Sequence, residues 1–285
     1  MPTYFLDFRV KDTGGAVTDP RLCQGNGADA NDNWIVLKKD DFARVFAGRN
    51  VLFATHGFNV SRPHGARSLG QLDEYLNLGG PDLFVAVLWP GDCWLPVVDY
   101  PFEGDVALDS GRRLADFCNG YCAGATSLSF VSHSLGARLI LEAISNLDPR
   151  HTVRSACLTA GAINRRCLID EYASAAGRPA RVEVLASHED YVLKYAFAAG
   201  DPVADLLHDD HSPFQAALGS DGPPRDQPQP VPRPWQIDSH ANYGHGNYLP
   251  PGTGPADDDE SNKWKKAADF MKRAYLGQTQ VWPQS

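Results

Sequence analysis

The chain has 285 residues, enough for one large α/β domain with a well-buried core. Apolar residues make up 43% and charged ones 21%, proportions of a folded protein that exclude a disordered chain. A formal net charge of −9, without any dense Lys/Arg run, argues against nucleic acid or an anionic membrane surface as partner.

The N-terminus, Met1 to Phe8, goes straight into strand-like sequence, with neither a cationic leader nor a long apolar stretch. No secretory signal is expected from it. Nowhere does an apolar run approach the ~20 residues that span a bilayer. Six cysteines, Cys23, Cys93, Cys118, Cys122, Cys157 and Cys167, are scattered along the chain. Cys118 and Cys122 lie one helical turn apart, a spacing that suits neighbouring side chains but not disulfide geometry. Reduced, mostly buried thiols and a cytoplasmic location are expected.

In chain order, strands are expected at Tyr4–Val10, Trp34–Leu37, Val51–Thr55, Leu83–Trp89, Leu128–Ser132, Ser155–Ala160, Val182–Ser187 and Trp235–Asp238. Helices are expected at Gly65–Leu78, Val106–Cys122, Ala137–Leu147, Leu168–Ala176 and Ser261–Leu276. The alternation predicts an α/β fold, a mostly parallel eight-stranded sheet with helices on both faces, in a single domain over 1–285. Gly200–Pro234 breaks the rhythm: it is rich in Gly, Pro and Asp and reads as an irregular excursion within that domain.

The densest chemical signal is Phe130-Val131-Ser132-His133-Ser134-Leu135-Gly136. A strand that turns at once into a helix strains its turn residue and pushes that side chain out at the sheet edge. Small residues two positions before and after, here Ser132 and Gly136, make the turn sterically possible. The pattern is the nucleophile elbow G-x-S-x-G with serine for the first glycine, and it makes Ser134 the expected nucleophile.

A serine hydroxyl needs an imidazole to take its proton and a carboxylate to orient that imidazole. Preset N–H donors must also meet the developing oxyanion. Upstream, the strand Val51–Thr55 ends in His56-Gly57-Phe58, where the N–H of Phe58 is the expected first donor and that of Leu135 the second. After Val182–Ser187 comes His188-Glu189-Asp190-Tyr191, with Asp190 the expected acid, Glu189 the alternative, and Asp170, after the preceding strand, a distant third. After the last strand stand His240 and His245; His245, between Gly244 and Gly246, is favoured as base and His240 kept as the alternative. His133 points to the wrong side of the elbow to serve as base. The order Ser134, Asp190, His245 is that of α/β hydrolases.

Together, His56-Gly57-Phe58-Asn59-Val60, Leu88-Trp89-Pro90-Gly91-Asp92, Ser132-His133-Ser134-Leu135-Gly136 and Ser187 to Leu193 resemble the α/β-hydrolase superfamily. The match is nearest to a little-characterised bacterial branch with a strand ending in Trp-Pro and a Ser-His-Ser-x-Gly elbow. The resemblance covers roughly residues 45–250 and implies the fold, but says little about substrate.

Two other clusters stand out in the sequence. His208-Asp209-Asp210-His211 has metal-ligand types but lacks a further ligand set, so no metal site is expected. Asp257 to Glu260 precedes the last helix, where the helix dipole favours negative charge. Aromatic residues gather after the fourth strand, and His56, Trp89 and Trp94 are expected, with Phe58, to line a substrate pocket at the ligand-binding edge of the sheet, the alternative being a loop that caps the core. The expectation is a serine hydrolase of small to medium carboxylic esters, using a small-molecule substrate, no cofactor, no nucleic acid and no membrane span. Amide, lactone or thioester hydrolysis, and a non-catalytic binding role for the same fold, are the alternatives. The oligomeric state is not legible.

Overall fold

The computed structural model describes residues 2–9, 11–26, 34–91, 100–197, 216–225 and 234–283. Trp94, Cys93 and the 208–211 cluster lie outside them, as does most of the 200–234 excursion.

Nine strands among the described residues form one sheet: β1 (Thr3–Asp7), β2 (Arg21–Gly25), β3 (Ile35–Val36), β4 (Asn50–Thr55), β5 (Asp82–Leu88), β6 (Ser127–His133), β7 (Val153–Thr159), β8 (Val182–Ala186) and β9 (Pro234–Gln236). Their spatial order is β3-β2-β1-β5-β4-β6-β7-β8-β9. Only the β1–β2 and β2–β3 pairs are antiparallel. The expected eight strands become nine because β2 was not foreseen. Arg-Leu-Cys-Gln-Gly has two adjacent apolar residues and no alternation, so it is a strand through its pairing with β1 and β3.

The central strands carry near-continuous apolar runs because both faces are covered. Leu52, Phe53, Val87, Phe130 and Leu158 are fully buried. Each such side chain contributes ~1.5–3 kcal/mol relative to exposure. The flanking helices are α1 (Lys39–Phe46), α2 (Arg62–Leu76), α3 (Tyr100–Tyr121), α4 (Gly136–Asn146), the short α5 (Ala173–Ala176) and α6 (Leu218–Asp221), and α7 (Asp258–Leu276). Helix α1 escaped the sequence reading because only Phe42, Phe46 and Val45 pack inward from two charged turns. The helix expected at Leu168–Ala176 is mostly turns, closing into helix only at α5. Helix α7 begins on Asp257, whose side chain accepts the Glu260 N–H at 2.8 Å, so its acidic start is a cap.

The described part of the excursion packs beside the ends of β7 and β8. Residues 217–222 carry α6, with the Leu218 N–H on the Ile163 carbonyl (2.7 Å) and the Gly219 carbonyl accepting the Ser187 N–H (2.9 Å). These bonds join the loops that follow β7 and β8.

Candidate active site

Strand β6 turns into α4 at Ser134, the place of the expected elbow. Ser134 has φ 55°, the left-handed region, between a buried strand and α4. That strain persists because the surrounding backbone clamps it. The Ser134 N–H donates to the Thr159 carbonyl (3.0 Å), and its own carbonyl accepts from Ala137 (3.0 Å) and Ala162 (3.1 Å). Gly136 has no room for a side chain: a Cβ there would lie 2.7 Å from the His56 carbonyl oxygen. Ser132, standing where the pattern has its first glycine, is fully buried, and its carbonyl accepts the Thr159 hydroxyl at 2.8 Å.

Asp190, the expected acid, lies in the turn after β8. Asp190 is fully buried; its Oδ1 accepts the Leu193 N–H (3.1 Å) and its Oδ2 meets His245 Nδ1 at 2.8 Å. Leu193 belongs to a π-helical turn, Val192–Phe197, that the carboxylate caps. The two alternative acids are elsewhere. Glu189 accepts the Tyr191 hydroxyl at 3.1 Å, and Asp170 pairs with Arg166 at 2.9 Å.

His245 stands in a 3₁₀ turn, His245–Tyr248, rather than on an unstructured glycine loop. Its Nε2 lies 2.8 Å from Ser134 Oγ. A carboxylate only accepts, so in the neutral ring Nδ1 carries the proton and Nε2 receives the serine O–H. The three groups thus form one hydrogen-bonded line, carboxylate to imidazole to hydroxyl. His240 takes no part: it is exposed, and its backbone N–H donates to Asp238 Oδ1 at 2.9 Å.

His133 has a place that the sequence did not disclose. Its Nε2 donates to the main-chain carbonyl of His245 at 2.8 Å, and the two rings lie 4.9 Å apart. Burial, and then the His245 charge, push its pKa down to about 3, so the ring is neutral and holds the histidine turn against the elbow.

The loop after β4 closes the other side. Gly57 lies against the elbow, where a Cβ would come 2.7 Å from Ser134 Cβ. His56 Nδ1 donates to the Gly57 carbonyl at 2.8 Å. In a planar trans peptide the N–H opposes the carbonyl, so the Phe58 N–H points away from His56. Phe58 itself is half-buried. On the elbow side, the Leu135 N–H donates to no described residue.

His56 and Trp89 do not line a pocket as expected. They are 1% and 0% exposed, and their rings stack at 5.7 Å. The Trp89 indole N–H donates to the His56 carbonyl at 3.0 Å. Burial pushes the His56 pKa down to about 3. Both face the interior, where the two rings pack on each other and brace the ends of β4 and β5. Among the described residues, no group of three or more His, Cys, Asp or Glu is arranged to hold a metal. No described helix is long and apolar enough to cross a membrane.

A family described as "Alpha/beta hydrolase of unknown function (DUF900)" matches residues 36–207, more than half of the chain. The chain belongs to this alpha/beta hydrolase family. The matched stretch holds Ser134 and Asp190 and leaves out both His245 and the β1–β2 hairpin. No curated protein matches the chain. Among solved structures, an esterase of Pyrobaculum calidifontis is similar at 12% identity, over 89% of this chain and 80% of its own, with a TM-score of 0.42. The butyrate-bound esterase Est2 of Thermogutta terrifontis is similar at 13% identity, over 91% and 95%, with a TM-score of 0.40. Carboxyl esterase 2 of Tuber melanosporum is similar at 12% identity, over 96% and 91%, with a TM-score of 0.41. At such distances the activity of this chain has to come from its own residues.

Proposed function

We propose that this protein is a serine hydrolase that cleaves carboxylic esters through an acyl-enzyme on Ser134. The observation that carries the reading is the unbroken line from Asp190 through His245 to Ser134, with 2.8 Å at each junction. A binding protein of the same fold has no use for such a line, since its buried carboxylate and strained serine only cost stability.

Ser134 Oγ attacks the ester carbonyl carbon while its proton passes to His245 Nε2. The carbonyl electron pair moves to oxygen, and the N–H groups of Leu135 and Phe58 receive the oxyanion; one such donor contributes on the order of 10²–10³ in rate. Asp190 holds the imidazole in register and offsets its charge. Collapse breaks the bond to the alcohol, which leaves with the proton from His245. Water then attacks the acyl carbon, gives a proton to His245 and releases the acid, and that proton returns to Ser134. Every transfer uses the chain's own groups, so the reaction as written calls for no metal or cofactor. Small to medium acyl esters are the proposed substrates. The five described cysteines are free and buried, which suits the reducing cytoplasm.

A fluorophosphonate probe tests the reading. Wild type should label and turn over aryl esters between acetate and octanoate, whereas Ser134→Ala should do neither. Side by side, His245→Ala should lose activity and His240→Ala retain it. A wild type that neither labels nor hydrolyses any of these esters would refute the proposal; preference for an amide, lactone or thioester over the esters would move it to that class.

A further inference from the structure

Arg9 is completely buried just beyond the C-terminal end of β1. A buried guanidinium is expensive and is kept only where its donors are used. Here they gather main-chain carbonyls from three separate loops. Nη1 donates to Val60 (2.9 Å) and Trp89 (3.1 Å), Nη2 to Asp12 (2.9 Å), and Nε to Lys11 (3.3 Å). Val60 lies in the loop after β4 that carries Phe58, and Trp89 follows β5. Those two loops are also tied to each other, the Asn59 N–H donating to the Gly91 carbonyl at 2.6 Å with Asn59 at φ 58°.

The clasp is itself held. Asp7, fully buried, accepts the Arg9 backbone N–H on Oδ1 (3.0 Å) and pairs through Oδ2 with Arg21 (2.7 Å) and Arg62 (3.0 Å). Arg62 opens α2, directly after the Phe58 loop. The loop is thus anchored at its Val60 carbonyl and again at Arg62, both to the start of the chain.

We propose that Arg9 is a positioning residue for the ester-cleaving site: its planar fork sets the path of residues 57–60 and thereby where the Phe58 N–H meets the oxyanion. The inference rests on the ester-hydrolase reading for its consequence, but not for its geometry. It makes the β1–β2 hairpin, which the family match leaves out, a working part of the site. A fork that binds two carbonyls through one nitrogen and one through each of the other two cannot be copied by a single ammonium.

Two variants test it, Arg9→Lys, which keeps the charge and loses the fork, and Arg9→Met, which fills the space without burying charge. Should one fail to fold, the other carries the test. Hydrogen exchange of the peptide spanning residues 56–61 reads loop position without activity. kcat and KM on an aryl acetate, and the inhibition constant of a trifluoromethyl ketone that forms the oxyanion adduct, read its consequence. Exchange at 56–61 should rise about tenfold while α4 stays protected. kcat should fall about 10²-fold with KM within about threefold, the inhibitor weakening in step with kcat/KM. Arg9→Lys should keep more activity than Arg9→Met. Folded variants with wild-type exchange and kcat would overturn the inference. So would an even rise in exchange over the whole chain, which is what a merely structural arginine would give. If wild type itself is inert and unlabelled at Ser134, the ester reading falls, while exchange at 56–61 still decides whether Arg9 places the loop.

Discussion

A methyl group added at Gly57 would enter a contact with no room for it. Built on the present backbone, the Cβ of Gly57→Ala would lie 2.7 Å from Ser134 Cβ and 2.9 Å from His133 Nδ1. Carbon atoms rest at about 3.5–4.0 Å, so something must retreat by about 1 Å. Neither neighbour is free to do so. Ser134 is clamped through Thr159, Ala137 and Ala162, and His133 is tied to the His245 carbonyl. The loop of Gly57 must move instead, against its bonds to His56 and Gly91. Overpacking of this kind costs about 1–3 kcal/mol of stability. Displacing the proposed Phe58 donor by about 1 Å should cost about 10²-fold in kcat, with a smaller effect on KM. Thermal unfolding, aryl-acetate kinetics and the second-order rate of fluorophosphonate labelling measure the three consequences. Gly57→Ala with the stability, kcat and labelling rate of wild type would show that the loop does not abut the elbow as described.

Asp190→Asn should fold, keep its bond from the Leu193 N–H and lose about 10⁴-fold in kcat, because the amide favours the wrong imidazole tautomer; activity within about tenfold of wild type would remove Asp190 from the relay. The His56 imidazole, held neutral with its pKa near 3 against about 6.5 unfolded, makes the unfolded chain the better proton binder between those values, so its contribution is complete above pH 6.5 and lost as pH falls. Asp73, raised to about 6 mainly by burial, works in the opposite sense over much of that range, so a variant comparison is needed. Urea unfolding at pH 7 and pH 5 should show wild type losing roughly 2 kcal/mol more than His56→Asn, and equal losses would mean that His56 protonates in place. Gly120→Ala, where a Cβ would meet nothing within 4 Å near the end of α3, should stabilise the chain by about 0.5–1 kcal/mol in the same assay, and any loss would show hidden crowding.

Much of the sheet was legible because buried parallel strands leave continuous apolar runs, as in Val51–Thr55 and Leu128–Ser132. The sharp turn from β6 into α4 was legible because its constraint is local: a strand-to-helix turn needs small residues at fixed offsets, and Gly136 shows why, with the His56 carbonyl where a side chain would be. Strand β2 and helix α1 were missed because few of their side chains turn inward and their partners lie elsewhere in the chain. His56 and Trp89 were expected at a pocket since their aromatic character carries no direction. In the structure, β4 and β5 end side by side and the two rings stack on each other in the interior.

What the chain order alone determined was the fold class and the set of candidate groups, a serine on an elbow, acids after β8 and two histidines after β9. Each followed from the residues next to it in sequence. Which acid and which histidine meet the serine was decided only by tertiary structure. Asp190 and His245 are separated by 55 residues, and His245 and Ser134 by 111, so only the parallel stacking of β6, β7, β8 and β9 brings them within hydrogen-bond reach. The same holds for Arg9, an ordinary polar residue after an N-terminal strand. It becomes a clasp only because β1 pairs with β5 and places that strand's end beside the loop that follows β4.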